Sequence, residues 1–227
     1  MNEIEEIKKR YEKRKNISQD YSFFSPWYFR AVQERERKII ALMGKNGIDT
    51  LCGKKILDIG CGNGDWLRMF LRWGADPENL YGIDLLKKRI DFAKKLNPNM
   101  NFICTDAQKI AFRDGTFDIV VLATCFTSVL ENEIKRRIAQ EAIRVLKNEG
   151  FILWYDFRFN NPRNPDVKGI GKKEIKQLFN GCSCDFHLVT LAPLLARILA
   201  AVSGLLCDII TIIPFLRTHY LTIIKKE

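Results

Sequence analysis

Ile56-Leu57-Asp58-Ile59-Gly60-Cys61-Gly62-Asn63-Gly64 decides how the chain is read. A short apolar run carries one acid, Asp58, and ends in glycines at alternate positions. Leu67, Phe70 and Leu71 follow at helical spacing. The pattern predicts a buried strand, a tight turn and the start of a helix. Glycine admits positive φ and lets a ligand approach bare backbone. The helix start adds unpaired N–H groups and the positive end of its dipole. Such a corner is a nucleotide or cofactor site in doubly wound folds.

The residues around the corner narrow the ligand. Asp65-Trp66 stands where a P-loop needs Lys followed by Ser or Thr. The spacing Gly60-x-Gly62-x-Gly64 is not the dinucleotide pattern Gly-x-Gly-x-x-Gly. Asp58 would repel a pyrophosphate and suits a ligand with an ammonium group. Further on, Tyr81-Gly82-Ile83-Asp84 predicts a second strand ending in an acid. A βαβ unit places an acid at that distance on ribose hydroxyls, and one carboxylate can accept from both. Taken alone, Asp84 also reads as a cap for a helix beginning near Lys87. Residues 101–107 predict a third strand ending in Asp106, which alone reads equally as a turn acid. Phe117 to Thr124 predicts a fourth strand, buried on both faces. Arg144 to Leu153 predicts a helix end, with Gly150 as its stop, and a fifth strand.

With these marks in this order, residues 35 to 185 resemble the class I S-adenosylmethionine-dependent methyltransferases. The first motif of that family has the form acid-x-Gly-x-Gly-x-Gly. The resemblance implies an α/β fold: a doubly wound, Rossmann-like, seven-stranded sheet, mostly parallel, with an antiparallel C-terminal edge. It implies S-adenosyl-L-methionine as cofactor. Asp58, Gly60, Cys61 and Gly62 would surround the amino-acid end of that molecule. Asp84 and Leu85 would meet the ribose. Asp106 would accept from the adenine amino group, the Ala107 N–H would reach the ring, and Thr124 would close the site at the end of the fourth strand.

The organisation read along the chain fits one domain with additions. A charged helix over residues 2–15 is followed by a loop, Asn16 to Ser25. Ser25-Pro26 opens a second helix that stops at Gly47. Residues 1–47 are therefore read as N-terminal helices forming a lid, and 48–227 as the methyltransferase domain. Residues 54–157 alternate strand and helix, the mark of a parallel sheet. The stretch from Asp156 to Gly171 reads as a loop, Lys172 to Leu178 as a short helix, and Phe186–Leu191 and His219–Ile224 as the last strands. Between those strands, residues 192–216 are very apolar. They approach the length of a membrane span, but Arg197 and Asp208 would be costly in one. An apolar helical insert is expected, divided near Gly204. It would pack on the sheet, on a second subunit in a homodimer, or on a membrane surface.

The 227 residues carry a formal charge of +10 and a pI near 9.3, which favours acidic partners. The basic residues are scattered among acids on helices, so nucleic acid is not the expected partner. Seven cysteines, with Cys182-x-Cys184 lacking a second pair, predict no metal site and suit reduced thiols. The charged start has no apolar central region. The expected location is the cytoplasm, with peripheral contact at the inner membrane face through 192–216.

Methyl transfer from a sulfonium is an in-line displacement, so alignment is the protein's main task. An oxygen or nitrogen acceptor must also lose a proton. The ends of the fourth and fifth strands offer Thr124, Cys125, Asp156, Arg158, Asn160 and Asn161. Asp156 is the candidate base, and reads equally as a turn acid. Arg158 and the asparagines could grip a hydroxyl-rich acceptor, while His187 and His219 read as structural. Thr124-Cys125-Phe126-Thr127 does not match the motif of DNA amino methyltransferases, and no acid pair suggests a catechol-type metal. Residues 154–162, the apolar tail and residues 217–221 resemble small bacterial methyltransferases of surface-glycan or glycolipid pathways. That likeness implies O-methylation of a sugar hydroxyl on a glycan, a glycolipid precursor or a small metabolite. An RNA-modifying methyltransferase and a cofactor-binding module without transfer remain as other readings. The aromatics Tyr21, Phe23, Phe24, Trp27, Tyr28 and Phe29 read as core or lid packing.

Overall fold

The computed structural model of the chain describes residues 3–13, 22–160 and 164–227. Residues 16–21 of the expected Asn16–Ser25 loop, Tyr21 among them, and Asn161 lie outside them. Two helices, α1 (Glu3–Lys13) and α2 (Pro26–Lys45), precede the alternating unit. That unit runs β1 (Ile56–Ile59), α3 (Asp65–Arg72), β2 (Leu80–Asp84), α4 (Lys87–Leu96), β3 (Asn101–Cys104), β4 (Phe117–Ala123), α5 (Asn132–Val145) and β5 (Leu146–Phe157). There follow α6 (Lys172–Leu178), β6 (Cys182–Leu191), α7 (Pro193–Val202), α8 (Gly204–Ile210) and β7 (Arg217–Lys226).

The seven strands form one sheet in the order β3-β2-β1-β4-β5-β7-β6. The first five are parallel, and β7 runs antiparallel to both β5 and β6. The last two strands are longer than the apolar pattern alone marked. Between β1 and β4 the strand order reverses, which opens a crevice at their carboxyl ends.

Apolar runs in β1, β4 and β5 bury both faces of the sheet. Ile56, Phe151 and Leu153 pack with Ile39 and Leu42 of α2, Leu67 and Phe70 of α3, and Ile90 of α4. Leu57, Val120 and Trp154 pack on the other face with Ile7 of α1, Ile138 and Ala142 of α5, and Ile175 of α6. Helices therefore cover both sides, as expected for a doubly wound sheet. The stop of α2 is also as expected: Gly47, at φ 78°, donates to the Gly44 carbonyl at 3.1 Å.

Gly150 is a correction. It does not stop a helix, because α5 ends at Val145 and the chain enters β5 at once. A Cβ at Gly150 would stand 2.6 Å from the Asp118 carbonyl oxygen. The glycine therefore lets β5 lie close to β4 beside an irregularity in their register between Phe117 and Ile119.

The apolar stretch is a helical pair. Ser203 breaks it in an extended conformation, and its side chain accepts from the Leu206 N–H. One side packs on α2, where Trp27, Leu191, Ala196 and Cys207 form a small core of their own. Arg30 pairs with Asp208 at 2.7 Å, and Arg197 lies over the Trp27 ring. The other side is bare: Leu194, Val202, Leu205, Ile212 and Phe215 are each about 70% exposed or more. Among the described residues no helix is long and apolar enough to cross a membrane.

Candidate cofactor and acceptor site

The glycine corner is built as its sequence requires. Gly60, Gly62 and Gly64 have φ of 77°, 55° and 80°, a region that L side chains rarely enter. The Gly60 and Cys61 N–H groups donate to the Ile83 carbonyl at 2.8 and 3.0 Å, tying the turn to β2. Asp84 then fastens it. Its Oδ2 accepts from the Gly62 N–H at 2.9 Å, and its Oδ1 from the Leu86 N–H at 2.8 Å. A carboxylate has about four acceptor positions, so capacity remains for a ligand's hydroxyls.

Asp58 lies beneath the turn, 1% exposed. Its Oδ1 has no hydrogen-bond partner among the described residues. Burial first, and then the charges of Asp84 and Asp65, push its carboxyl well above the usual range. An orphaned carboxylate oxygen below a bare glycine cradle is the environment a cationic ligand relieves. The donor set thus fits a cofactor with an ammonium group at the turn and hydroxyls near Asp84.

Two adjoining cavities share Gly60, Arg89 and Thr124. The larger, of about 470 Å³, holds Gly60, Cys61 and Gly62 together with Tyr28, Arg35 and Trp66. The smaller, of about 120 Å³, holds Asp84, Leu85, Asp106, Ala107 and Cys125. The structure therefore brings Gly60, Cys61 and Gly62, expected at the amino-acid end, to one cavity and the residues expected at ribose and adenine to the other, while Asp58 is buried beneath the turn and lines neither. Asp106 also closes its own turn, accepting from the Gln108 N–H at 2.9 Å. Thr124 sits at φ 52°, unusual for a β-branched residue, and its N–H donates to the Tyr155 carbonyl at 2.7 Å. Strain of that kind is found where a site requires it. The N-terminal helices contribute to both cavities, Ile7 and Tyr11 of α1 to the smaller and Tyr28, Val32 and Arg35 of α2 to the larger.

Asp156 is placed otherwise than the sequence suggested. It is fully buried and lines neither cavity. Thr127 Oγ1 donates to its Oδ1 at 2.5 Å. Burial raises its carboxyl to about 7, against the opposing hydrogen bonds from Thr127. A base must reach the proton it removes, and this carboxylate is enclosed on the α5 side of the sheet. Arg158 and Asn160 also stand outside both cavities, and the Asn160 side chain accepts from the Gly169 N–H. His219 is stacked 4.8 Å from the Tyr155 ring, and burial, then the charge of Arg35, lower it to about 3.

Sequence reasoning did not single out Arg35, Trp66 or Arg89. Trp66 could have been found, since it directly follows the glycine corner in the first turn of α3. Arg35 sits in the run Gln33-Glu34-Arg35-Glu36-Arg37, where nothing sets it apart.

Residues 56–150 match a family model described as a methyltransferase domain. The phthiotriol/phenolphthiotriol dimycocerosates methyltransferase of Mycobacterium tuberculosis is 31% identical over 49% of this chain and 40% of its own length. A ubiquinone/menaquinone biosynthesis C-methyltransferase of Campylobacter jejuni is 27% identical over 64% of this chain and 57% of its own. The chain thus matches less than two thirds of these relatives. A crystal structure of an S-adenosylmethionine-dependent methyltransferase from Archaeoglobus fulgidus superposes with a TM-score of 0.60 at 20% identity, over 88% of this chain and all of that one. That likeness shows the fold.

Proposed function

We propose, from the match of residues 56–150 to a methyltransferase domain, that the chain is a class I S-adenosylmethionine-dependent methyltransferase and that it transfers a methyl group to a hydroxyl-bearing amphipathic acceptor. The observation that carries this reading is the orphaned Asp58 carboxylate oxygen beneath the glycine cradle. S-adenosylmethionine supplies a methyl group already activated on a sulfonium. Asp58 lies buried beneath the turn that holds its ammonium end, and Gly60, Cys61 and Gly62 give it bare backbone. Asp84 and Leu85 take the ribose, Asp106 and Ala107 the adenine, and Thr124 closes the join between the two cavities. The larger cavity then receives the acceptor, and Tyr28, Trp66 and Met69 give it apolar walls. Its carboxylates Asp65 and Glu36 are each engaged by an arginine, Arg68 and Arg72. The chain's contribution to transfer is alignment and exclusion of water.

The acceptor's class follows from the surface around that cavity. Phe23 lines it and is half exposed, and its ring meets Tyr28 edge-on. Tyr28 meets Trp27, which anchors the helical pair. Apolar contacts thus run from the cavity mouth to the small core on which α7 and α8 sit, and the outer faces of those helices are bare. Exposed apolar area of this extent marks an interaction site, and its occupant in this reading is a membrane that presents a lipid-borne acceptor. The names of the two relatives, one for a dimycocerosate and one for quinone biosynthesis, agree with an apolar carrier. A sugar hydroxyl on a glycolipid precursor is the form of acceptor this reading favours. The helices of residues 1–47 act as the lid.

Calorimetric titration with S-adenosylhomocysteine tests the core of the reading, and absence of binding refutes it. Incubation with labelled donor and membrane lipid extract tests the rest. Label is expected in the lipid fraction. Label in RNA would select the nucleic-acid reading, and cofactor binding with no transfer to either would select a binding module.

A further inference from the structure

The larger cavity contains a cation, Arg35, that no carboxylate of the described residues is shown to engage. Arg35 projects from α2 with its guanidinium 4.8 Å from the Trp66 ring centroid and 5.2 Å from that of Tyr155. Its Nε is buried and has no hydrogen-bond partner among the described residues. The neighbouring arginines differ. Arg68 is taken up by Asp65, and Arg72 by Glu36. Arg89 lies over Tyr11 and close to Gly62, on the donor side. Of the two carboxylates that flank Arg35 in sequence, Glu36 is engaged by Arg72 and Glu34 turns away to the Thr190 N–H and Arg217.

The position of Arg35 points to the acceptor. Tyr155 lies two residues before the end of β5, and its hydroxyl is hydrogen-bonded to Thr190 of β6 at 3.1 Å. The cation therefore stands on the β5 side of the switch point. Asp84 and Asp106, which mark the donor, lie on the β2 and β3 side. A guanidinium backed by two rings is oriented and partly desolvated. In that state a hydrogen bond to an anionic oxygen is at its strongest. The nearby His219 is held neutral, so it neither adds to nor competes for that charge.

We propose that Arg35 is an acceptor-recognition residue, whose guanidinium takes an oxyanion of the acceptor, a phosphate or a carboxylate, while the donor is in place. This rests on the methyl-transfer reading and deepens it: the acceptor would carry an anionic group close to the methylated atom. Trp66 and Tyr155 fix the plane of the guanidinium, and the unpartnered Nε supplies one of its donors.

The test is calorimetric titration of the full chain with inorganic phosphate and, separately, with benzoate, each at saturating S-adenosylhomocysteine. The wild type is expected to bind at least one of them. Arg35→Gln should weaken that binding at least tenfold, and Arg35→Lys less than Arg35→Gln. Affinity for S-adenosylhomocysteine should stay within threefold in both variants. Phosphate bound in preference to benzoate assigns a phosphate-bearing acceptor, and the reverse a carboxylate. Loss of S-adenosylhomocysteine affinity in the folded Arg35→Gln protein would overturn the proposal, because the guanidinium would then serve the donor. Wild type that binds S-adenosylhomocysteine but neither anion would overturn it as well. Failure of the wild type to bind S-adenosylhomocysteine would instead sink the methyl-transfer reading, and the proposal with it.

Discussion

The Asp84 carboxylate accepts from the Gly62 N–H at 2.9 Å, so the acid expected at the ribose is also the clasp of the glycine turn. The cap and ligand roles that the sequence left as alternatives are compatible in one side chain. Its Oδ1 holds the Leu86 N–H ahead of α4, and its Oδ2 holds the turn after β1.

Replacing Asp84 by Ala should therefore have two effects. Affinity for S-adenosylhomocysteine should fall at least tenfold. Stability should fall by about 1–3 kcal/mol, since two backbone donors lose a charged partner. Calorimetry and urea unfolding measure the two effects separately. Unchanged affinity would remove Asp84 from the cofactor site.

Asp156 gives a pH signature. Its folded carboxyl is raised to about 7, while an unfolded Asp titrates near 4. Between those values the folded chain holds the proton more tightly. Stability should then decline as pH rises from about 4 to about 7, by up to about 4 kcal/mol, and level off above. Asp156→Asn keeps a polar group for Thr127 and cannot ionise, so its stability should lack that decline. Its methyl transfer should persist, because the carboxylate is enclosed away from both cavities. Parallel pH profiles for the two proteins would dismiss the raised carboxyl.

What the sequence made legible here was whatever depends on period and backbone. The apolar runs of β1 and β4 and the three glycines admit few other structures, and Asp58 within β1, Asp84 at the end of β2 and Asp106 just past β3 stand at positions set by the βαβ repeat. Side-chain direction was less accessible. Asp156 lies near the end of a strand at the correct edge, but alternation places it on the face of Ile152 and Trp154, against Thr127 rather than toward the cavities. Gly150 follows a helix closely enough to resemble its stop, yet its place is set by the Asp118 carbonyl on a strand distant in sequence. Arg35 was hidden because its setting, Trp66 and Tyr155, comes from two other elements.

Gly64 separates backbone strain from crowding. It lies at φ 80°, and a Cβ there would stand 2.9 Å from Phe102 Cζ. Gly53 lies at φ 72° with nothing within 4 Å. Gly53→Ala should cost about 1–2 kcal/mol from conformation alone. Gly64→Ala should cost about 1–3 kcal/mol more, because the Phe102 ring must shift. Urea unfolding of the two variants reads the difference directly, and equal losses would mean that Phe102 yields freely.

The membrane reading assigns the bare faces of α7 and α8 to lipid contact. Val202 and Leu205 are more than 70% exposed and belong to neither sheet core, so changing both to Ser should leave the melting temperature nearly unchanged. In flotation with vesicles containing phosphatidylglycerol, the wild type should rise with the lipid. The Val202→Ser, Leu205→Ser protein should do so at least fivefold less. The basic surface of the chain strengthens attraction to such vesicles, so raising the salt should weaken flotation without abolishing it. Wild type that stays with the soluble fraction would refute the membrane reading. If the same protein sediments as a dimer and the double variant as a monomer, the apolar face belongs instead to a second copy of the chain.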